Sequence, residues 1–174
     1  KIYLETDLSS MNELSVQTKM LEQLTYQNPR SLKTVLNEAA YTALSDYMVE
    51  IGMPLMMMEN FKPGMVISTL QVMEFQRNGF TPQGVDVYFN NRATEDAKTL
   101  GKLESIQEQI GFLASMGEGN ESEFILLSIR YVEDTTEIMN DMIAAWRTGN
   151  NDKLAAMFVT EMQNEAPDLY DTLL

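Results

Sequence analysis

The sequence contains no histidine and no cysteine among its 174 residues. The lack of cysteine excludes a disulfide and a thiol nucleophile, although it does not fix the cellular compartment. The lack of histidine removes the usual acid–base group at neutral pH and the commonest metal ligand, so zinc chemistry within these residues is not expected. No run approaches the roughly 20 apolar residues of a membrane-spanning helix, so we expect no transmembrane segment.

Basic residues are also scarce, with 12 lysines and arginines against 26 aspartates and glutamates, a net charge of −14. The imbalance is concentrated in residues 104–174, which hold 14 acidic and three basic residues, a net charge of −11. A polyanion would be repelled by this chain, so the composition argues against a nucleic-acid partner or an anionic membrane surface. An acidic surface that keeps the protein soluble is the simplest interpretation.

The composition is that of a folded globule, with 44% hydrophobic and 22% charged residues, and the length predicts a single domain over residues 1–174. Fourteen methionines are unusual in number. They suit either an adaptable core or an adaptable binding surface, because the unbranched thioether side chain fills irregular gaps. The run from Met53 to Met58, with Phe61 and Met65, fits a buried helical turn better than an apolar groove, but both interpretations stay open.

Periodicity predicts a mainly α-helical fold with two short β-strands. Alternating residues indicate one strand over Lys1–Glu5 and a second around residues 100–104. The long stretch of chain between them predicts that they pair in parallel. Apolar residues at helical spacing, together with capping and breaking residues, predict the remaining elements. These are helices ending near Leu24, over residues 37–51, 63–77, 85–97 and 105–116, one long helix over residues 121–147 with Trp146 facing inward, and two further helices over residues 154–162 and 167–174.

Five short motifs occur in order along the chain. They are Leu4-Glu5-Thr6-Asp7; Gly84-Val85-Asp86 with Tyr88-Phe89 and Arg92-Ala93; Gly101-Lys102-Leu103-Glu104-Ser105 with Gln109; Trp146-Arg147-Thr148-Gly149-Asn150; and Pro167-Asp168-Leu169-Tyr170 with Leu173-Leu174. In order and approximate spacing they resemble the TraB/PrgY/GumN family, whose relatives include the Tiki membrane proteases. The resemblance covers nearly the whole chain and implies a truncated α/β fold, with the second strand joined to its helix by a shortened spacer.

Three features of the family pattern have no counterpart here. The pattern begins with a strand that ends in Gly-x-x-His, and it closes with an Arg-Asn pair and a second Gly-x-x-His. The resemblance therefore implies that these residues are the central helical part of a longer polypeptide that resembles a metal-dependent, peptidase-like hydrolase. We expect this chain alone to be inactive and to hold no cofactor, whereas the full-length protein would use a divalent metal. The resemblance also implies a bacterial, extracytoplasmic protein that is periplasmic, membrane-associated or secreted.

Glu5 and Glu104 are the candidate catalytic residues, because each follows a predicted strand, and ligands gather at the carboxyl ends of parallel strands. Two carboxylates held close together can share a proton or a cation. Glu5 matches the acid that, in the proposal for Tiki-like enzymes, activates a metal-bound water beside histidines. The competing interpretation is structural, since Glu104 or Ser105 before Glu108 could simply cap a helix.

Four further residues are candidate binding residues by their place in the motifs. Asp7 is interpreted first as a helix cap. Arg92 is expected to pair with Asp96 one helical turn later, and the alternative is that it points at a carboxylate of the site. The other two candidates are Asp86 and Gln109. A peptide or protein substrate is the expected partner. The alternative function is a non-catalytic module that binds an apolar peptide, or a second copy of the chain, through the methionine-rich surface.

Overall fold

The computed structural model describes residues 1–6, 13–81, 83–160 and 163. These residues are mainly helical and include one two-stranded parallel sheet, which confirms the predicted fold class. The contacts divide the chain into two compact units, Lys1–Val132 and Glu133–Leu174. The assignment of residues 1–174 to a single domain stays a prediction. No helix in the described ranges combines the length and the apolar character needed to cross a bilayer.

The first unit contains both strands and seven helices in its described part. Strands β1 and β2 cover Ile2–Leu4 and Leu100–Lys102. A short 3-10 turn covers Leu55–Met57. The helices are α1 (Leu14–Leu24), α2 (Leu32–Val35), α3 (Glu38–Glu50), α4 (Pro63–Arg77), α5 (Val85–Glu95), α6 (Ile106–Ser115) and α7 (Glu121–Glu133).

Local sequence signals set most of these helix ends. The Asn37 side chain accepts a hydrogen bond from the Ala40 amide at 2.9 Å and caps α3. Gly52 follows α3 with a φ of +78°, a left-handed conformation that glycine adopts without strain. Pro63 occupies the first turn of α4, where its missing N–H costs no helical hydrogen bond. The predicted ends of α3 and α4 are therefore confirmed, and the capping and breaking residues of the sequence account for them.

Helix α4 lies between two apolar clusters. The larger cluster joins α2, α3, the 3-10 turn, α4 and α7, and its fully buried side chains include Leu44, Val66 and Ile125. The smaller cluster joins α1 to α6, with Met65 of α4 packed against it. Helix α4 thus packs against both clusters. Its position determines where α1 and α6 lie relative to α3 and α7.

The methionine-rich run divides between core and surface. Met58 is buried in the larger cluster, and Met53 packs against it. Met56 and Met57 are 83% and 66% exposed. The preferred interpretation as a buried helical turn was therefore wrong for these two side chains, because the 3-10 turn directs only Leu55 and Met58 into the core.

The predicted long helix over residues 121–147 was also wrong, since α7 ends at Glu133 and α8 begins at Thr135. Aspartate and two adjacent threonines have low helix propensity, which accounts for a break at Asp134. The second unit contains α8 (Thr135–Thr148), α9 (Asn151–Ala155) and a π-helical turn (Ala156–Thr160). Trp146 is 72% exposed, so its predicted inward position was wrong too. The predicted helix over residues 167–174 lies outside the described residues.

Candidate functional site

The parallel strand pair places the two candidate catalytic residues side by side. Ile2 pairs with Leu100, and Leu4 pairs with Lys102. Beyond the last pair, the Glu104 amide donates a hydrogen bond of 2.9 Å to the Glu5 carbonyl oxygen. Glu5 and Glu104 therefore meet at the carboxyl end of the sheet, as the sequence predicted, and both are exposed to solvent. Carboxylates in this position can accept, donate or share a proton during a reaction.

The cap of α6 is formed by Ser105 and not by Glu104. The Ser105 hydroxyl accepts a hydrogen bond from the Glu108 amide at 3.2 Å, and the Glu108 carboxylate accepts one from the Ser105 amide at 2.7 Å. Hydrogen bonds from the Ser105 backbone and side chain lower the pKa of Glu108. This capping box satisfies the first turn of α6 without Glu104.

The Glu104 carboxylate instead accepts a long hydrogen bond of 3.4 Å from the Gln109 side chain. Gln109 thus joins the predicted pair, one turn into α6. A contact of this length restrains the carboxylate only weakly, so Glu104 keeps lone pairs for a substrate or a water molecule.

One face of the small sheet is open, and we call Lys1, Tyr3, Gly101 and Leu103 the open face. Tyr3 pairs with Gly101 in the ladder, and its ring covers that glycine so closely that a Cβ there would lie 2.6 Å from Tyr3 Cε1. The Lys1 ammonium lies 4.7 Å from the centre of the Tyr3 ring. Tyr3 and Leu103 are 56% and 75% exposed. Parallel sheets are normally covered on both faces, so this apolar surface beside Glu5 and Glu104 is unusual.

Thr6 is a site residue that the sequence did not single out. It follows Glu5 directly, is 6% exposed, and its hydroxyl oxygen has no hydrogen-bond partner in the described part of the chain. A buried hydroxyl without a partner is costly, and such groups often occur where a ligand or a water molecule binds. No feature of the local sequence distinguishes this threonine from a surface threonine, because its burial depends on tertiary packing.

Helix α5, which carries the predicted binding residues Asp86 and Arg92, contacts β1. Asp86 is exposed in the first turn of α5. The Arg92 guanidinium pairs with Asp96 at 3.3 Å and with Glu95 at 3.4 Å on the surface of the same helix. The predicted surface pair of Arg92 and Asp96 is therefore confirmed. Asp7 lies outside the described residues.

The sequence profile of the TraB/PrgY/gumN family matches residues 1–174. The chain belongs to this family. No curated protein and no solved structure matches it.

Four of the five motifs that resemble the TraB/PrgY/gumN family lie at element boundaries of the structure. Glu5 and Glu104 follow the two strands, Gly84 is the N-terminal cap position of α5, and Gly149 ends α8 with a φ of +66°. The motif that begins at Pro167 lies outside the described residues. These four motifs therefore mark the sheet edge and helix ends, and two of their apolar residues, Leu4 and Ala93, are buried.

The family resemblance implies a divalent metal, and the donor set of this chain does not fit a zinc ion. The sequence supplies no imidazole or thiolate ligand. In the described ranges, no three acidic side chains are grouped closely enough to hold a metal ion. Glu5 and Glu104 alone would leave most of the coordination shell of a harder cation to water or to other donors. We therefore assign no catalytic step of these residues to a metal.

Proposed function

We propose that this chain is the substrate-side helical portion of a TraB/PrgY/gumN-type hydrolase that cleaves peptide bonds, and that it has no activity in isolation. The observation that carries the proposal is the 2.9 Å hydrogen bond from the Glu104 amide to the Glu5 carbonyl, which holds two carboxylate residues together at the carboxyl end of the sheet. This is where α/β proteins most often bind and transform ligands. Any metal ligands of the enzyme would come from outside residues 1–174.

The surroundings of the carboxylate pair favour a peptide as the substrate. The outer edges of β1 and β2 carry backbone groups without a ladder partner in the described residues. An extended peptide can pair with such an edge through its main chain. Tyr3 and Leu103 would then contact apolar side chains of the peptide, while Glu5 and Glu104 lie at the end of the same strands.

The role of the two carboxylates follows from their chemistry. A carboxylate can accept the proton of an attacking water and then pass it to the leaving amine, while a second carboxylate can hold that water by a hydrogen bond. The buried Thr6 hydroxyl follows Glu5 and has no hydrogen-bond partner among the described residues, so it could hold an internal water beside Glu5. Gln109 donates a weak hydrogen bond of 3.4 Å to the Glu104 carboxylate and leaves it free to contact substrate.

Purified residues 1–174 are expected to leave unstructured peptides intact, with and without added Zn²⁺, Mn²⁺ or Mg²⁺, because two carboxylates provide too few ligands for an activating metal. Mass spectrometry of the peptides after long incubation measures this directly. Circular dichroism of the same sample establishes that the chain is folded. Cleavage by the isolated chain that disappears in Glu5→Gln would contradict the proposed inactivity.

A second candidate function is self-association through the methionine-rich surface, which we define as the exposed side chains of Met56 and Met57. These adjacent side chains are 83% and 66% exposed, and exposed large apolar side chains favour an interaction site. The flexible thioethers of Met56 and Met57 can adapt to a copy of the same surface.

We expect the double variant Met56→Ser/Met57→Ser to weaken any dimer by about tenfold or more, because it removes apolar area from the contact. Sedimentation velocity over a range of concentrations measures the dimer constant. Leu14→Ser is the matched control, because Leu14 is 78% exposed on α1. A chain that stays monomeric at high concentration, or equal weakening by Leu14→Ser, rules out association through this surface.

A further inference from the structure

A small cleft lies away from the sheet, where the segment after α1, the start of α4 and the end of α6 meet. It encloses about 30 Å³ and opens to solvent. The residues that give it its chemistry are Tyr26, Arg30, Lys62, Met116, Glu118 and Glu121. A volume of this size accommodates about two water molecules, so a ligand can place only a few polar atoms in the cleft and must otherwise lie across its open side.

Backbone hydrogen bonds fix the two sides of the cleft. The Tyr26 amide donates to the Asn60 carbonyl at 2.7 Å, and the Lys62 amide donates to the Leu24 carbonyl at 2.8 Å. These bonds flank an antiparallel bridge and hold Tyr26 and Lys62 on adjacent segments. On the opposite side, the Glu118 amide donates to the Ser115 carbonyl at 3.0 Å, which closes the turn after α6.

Two of the four charges in the cleft are paired with each other. The Arg30 guanidinium lies 3.5 Å from the Glu121 carboxylate and 4.8 Å from the centre of the Tyr26 ring. Burial and the Glu121 carboxylate raise the pKa of Tyr26. Its phenol therefore remains a hydrogen-bond donor at neutral pH. This ion pair and the aromatic ring line one part of the cleft.

The other two charges, Lys62 and Glu118, have no ion-pair partner in the part of the chain that the structure describes. Neither the Lys62 ammonium nor the Glu118 carboxylate forms an ion pair or a side-chain hydrogen bond with any described residue, although both line the same cleft. Among the described residues the cleft is therefore lined by one cation, the half-buried Lys62, and one anion, the exposed Glu118, that are not paired with another side chain. A simple anion in the cleft would be attracted by Lys62 but repelled by the carboxylates of Glu118 and Glu121. A simple cation would be repelled by Arg30 and Lys62. A molecule that carries both charges is complementary to both free groups.

We propose that this cleft binds a free α-amino acid through its charged end, with the ammonium group at Glu118 and the carboxylate at Lys62. The Tyr26 hydroxyl and the Arg30–Glu121 pair line the pocket behind it, and Met116 contacts the α-carbon. The side chain of the amino acid points to solvent, because the cleft admits only the charged end. The site therefore selects for the zwitterion and discriminates little between amino-acid side chains.

NMR titration of the folded chain at constant ionic strength tests this assignment. Glycine and alanine are expected to shift the amide resonances of Tyr26, Lys62 and Glu118 saturably. N-acetylglycine, which keeps only the carboxylate, and glycinamide, which keeps only the ammonium, should bind at least about tenfold more weakly, because each loses one charge-assisted contact. Equal binding of glycine and N-acetylglycine would show an anion site and overturn the proposal, as would the absence of a saturable shift.

The variants Lys62→Met and Glu118→Gln should each raise the dissociation constant for glycine by about tenfold or more. Lys19→Met and Glu22→Gln are matched controls on the exposed side of α1 and should leave it unchanged. A thermal melt of each variant confirms that it remains folded. Glycine binding that survives both cleft variants would place the ligand elsewhere and contradict the proposal.

Discussion

Replacing Gly64 by alanine is expected to lower the free energy of unfolding by about 1–3 kcal/mol, because α4 and α6 touch at this residue. A Cβ at Gly64 would overlap the backbone carbonyl oxygen of Leu113 and would lie 2.9 Å from the Met116 Cβ. Backbone atoms cannot move aside as a flexible side chain can, so α4 and α6 would have to separate. That separation would disturb both apolar clusters, since α4 packs against each of them.

Gly111 provides the matched control on α6, the partner helix. It also has an ordinary helical conformation, but a Cβ there would meet no neighbouring atom within 4 Å. Gly111→Ala is therefore expected to raise the free energy of unfolding by up to about 1 kcal/mol, through the lower backbone entropy of alanine in the unfolded chain. Urea denaturation of both variants measures the difference. Two variants that change stability in the same direction and by the same amount would contradict the close approach of α4 and α6.

Most of the helix ends could be predicted because they depend on residues close in sequence. Asn37, Pro63 and Ser105 supply a cap or a first-turn residue at the positions where α3, α4 and α6 begin. The parallel pairing of the strands was also predictable, since the connection between them is too long for a hairpin. The meeting of Glu5 and Glu104 followed from that pairing.

Features that depend on tertiary packing could not be predicted. The helical periodicity predicted an inward position for Trp146 on the assumption of one continuous helix. The helix is instead interrupted at Asp134, between α7 and α8. The exposure of Met56 depends on how the 3-10 turn sits on the core, which a run of methionines does not encode. The burial of Thr6 and the convergence of Lys62 with Glu118 likewise involve segments that are distant in sequence.

The second large effect concerns activity. In the natural polypeptide that carries this chain, Glu5→Gln is expected to lower kcat for peptide hydrolysis by about 10²–10⁴-fold, the usual contribution of a general acid or base. Glutamine keeps the size of the side chain but cannot exchange a proton, and Glu5 is exposed, so the fold should be retained. Glu104→Gln should have a comparable effect, because the two residues meet at the same edge of the sheet.

The kcat of Glu5→Gln compared with that of Glu22→Gln in the natural polypeptide tests the central claim most directly. Glu22 is an exposed glutamate on α1, away from the strands, and serves as the matched control. The proposed function predicts a loss of about 10²-fold or more for Glu5→Gln and no loss for Glu22→Gln, with equal melting temperatures. Hydrolysis at the same rate by both variants, or no peptide hydrolysis by the unaltered polypeptide, would contradict it.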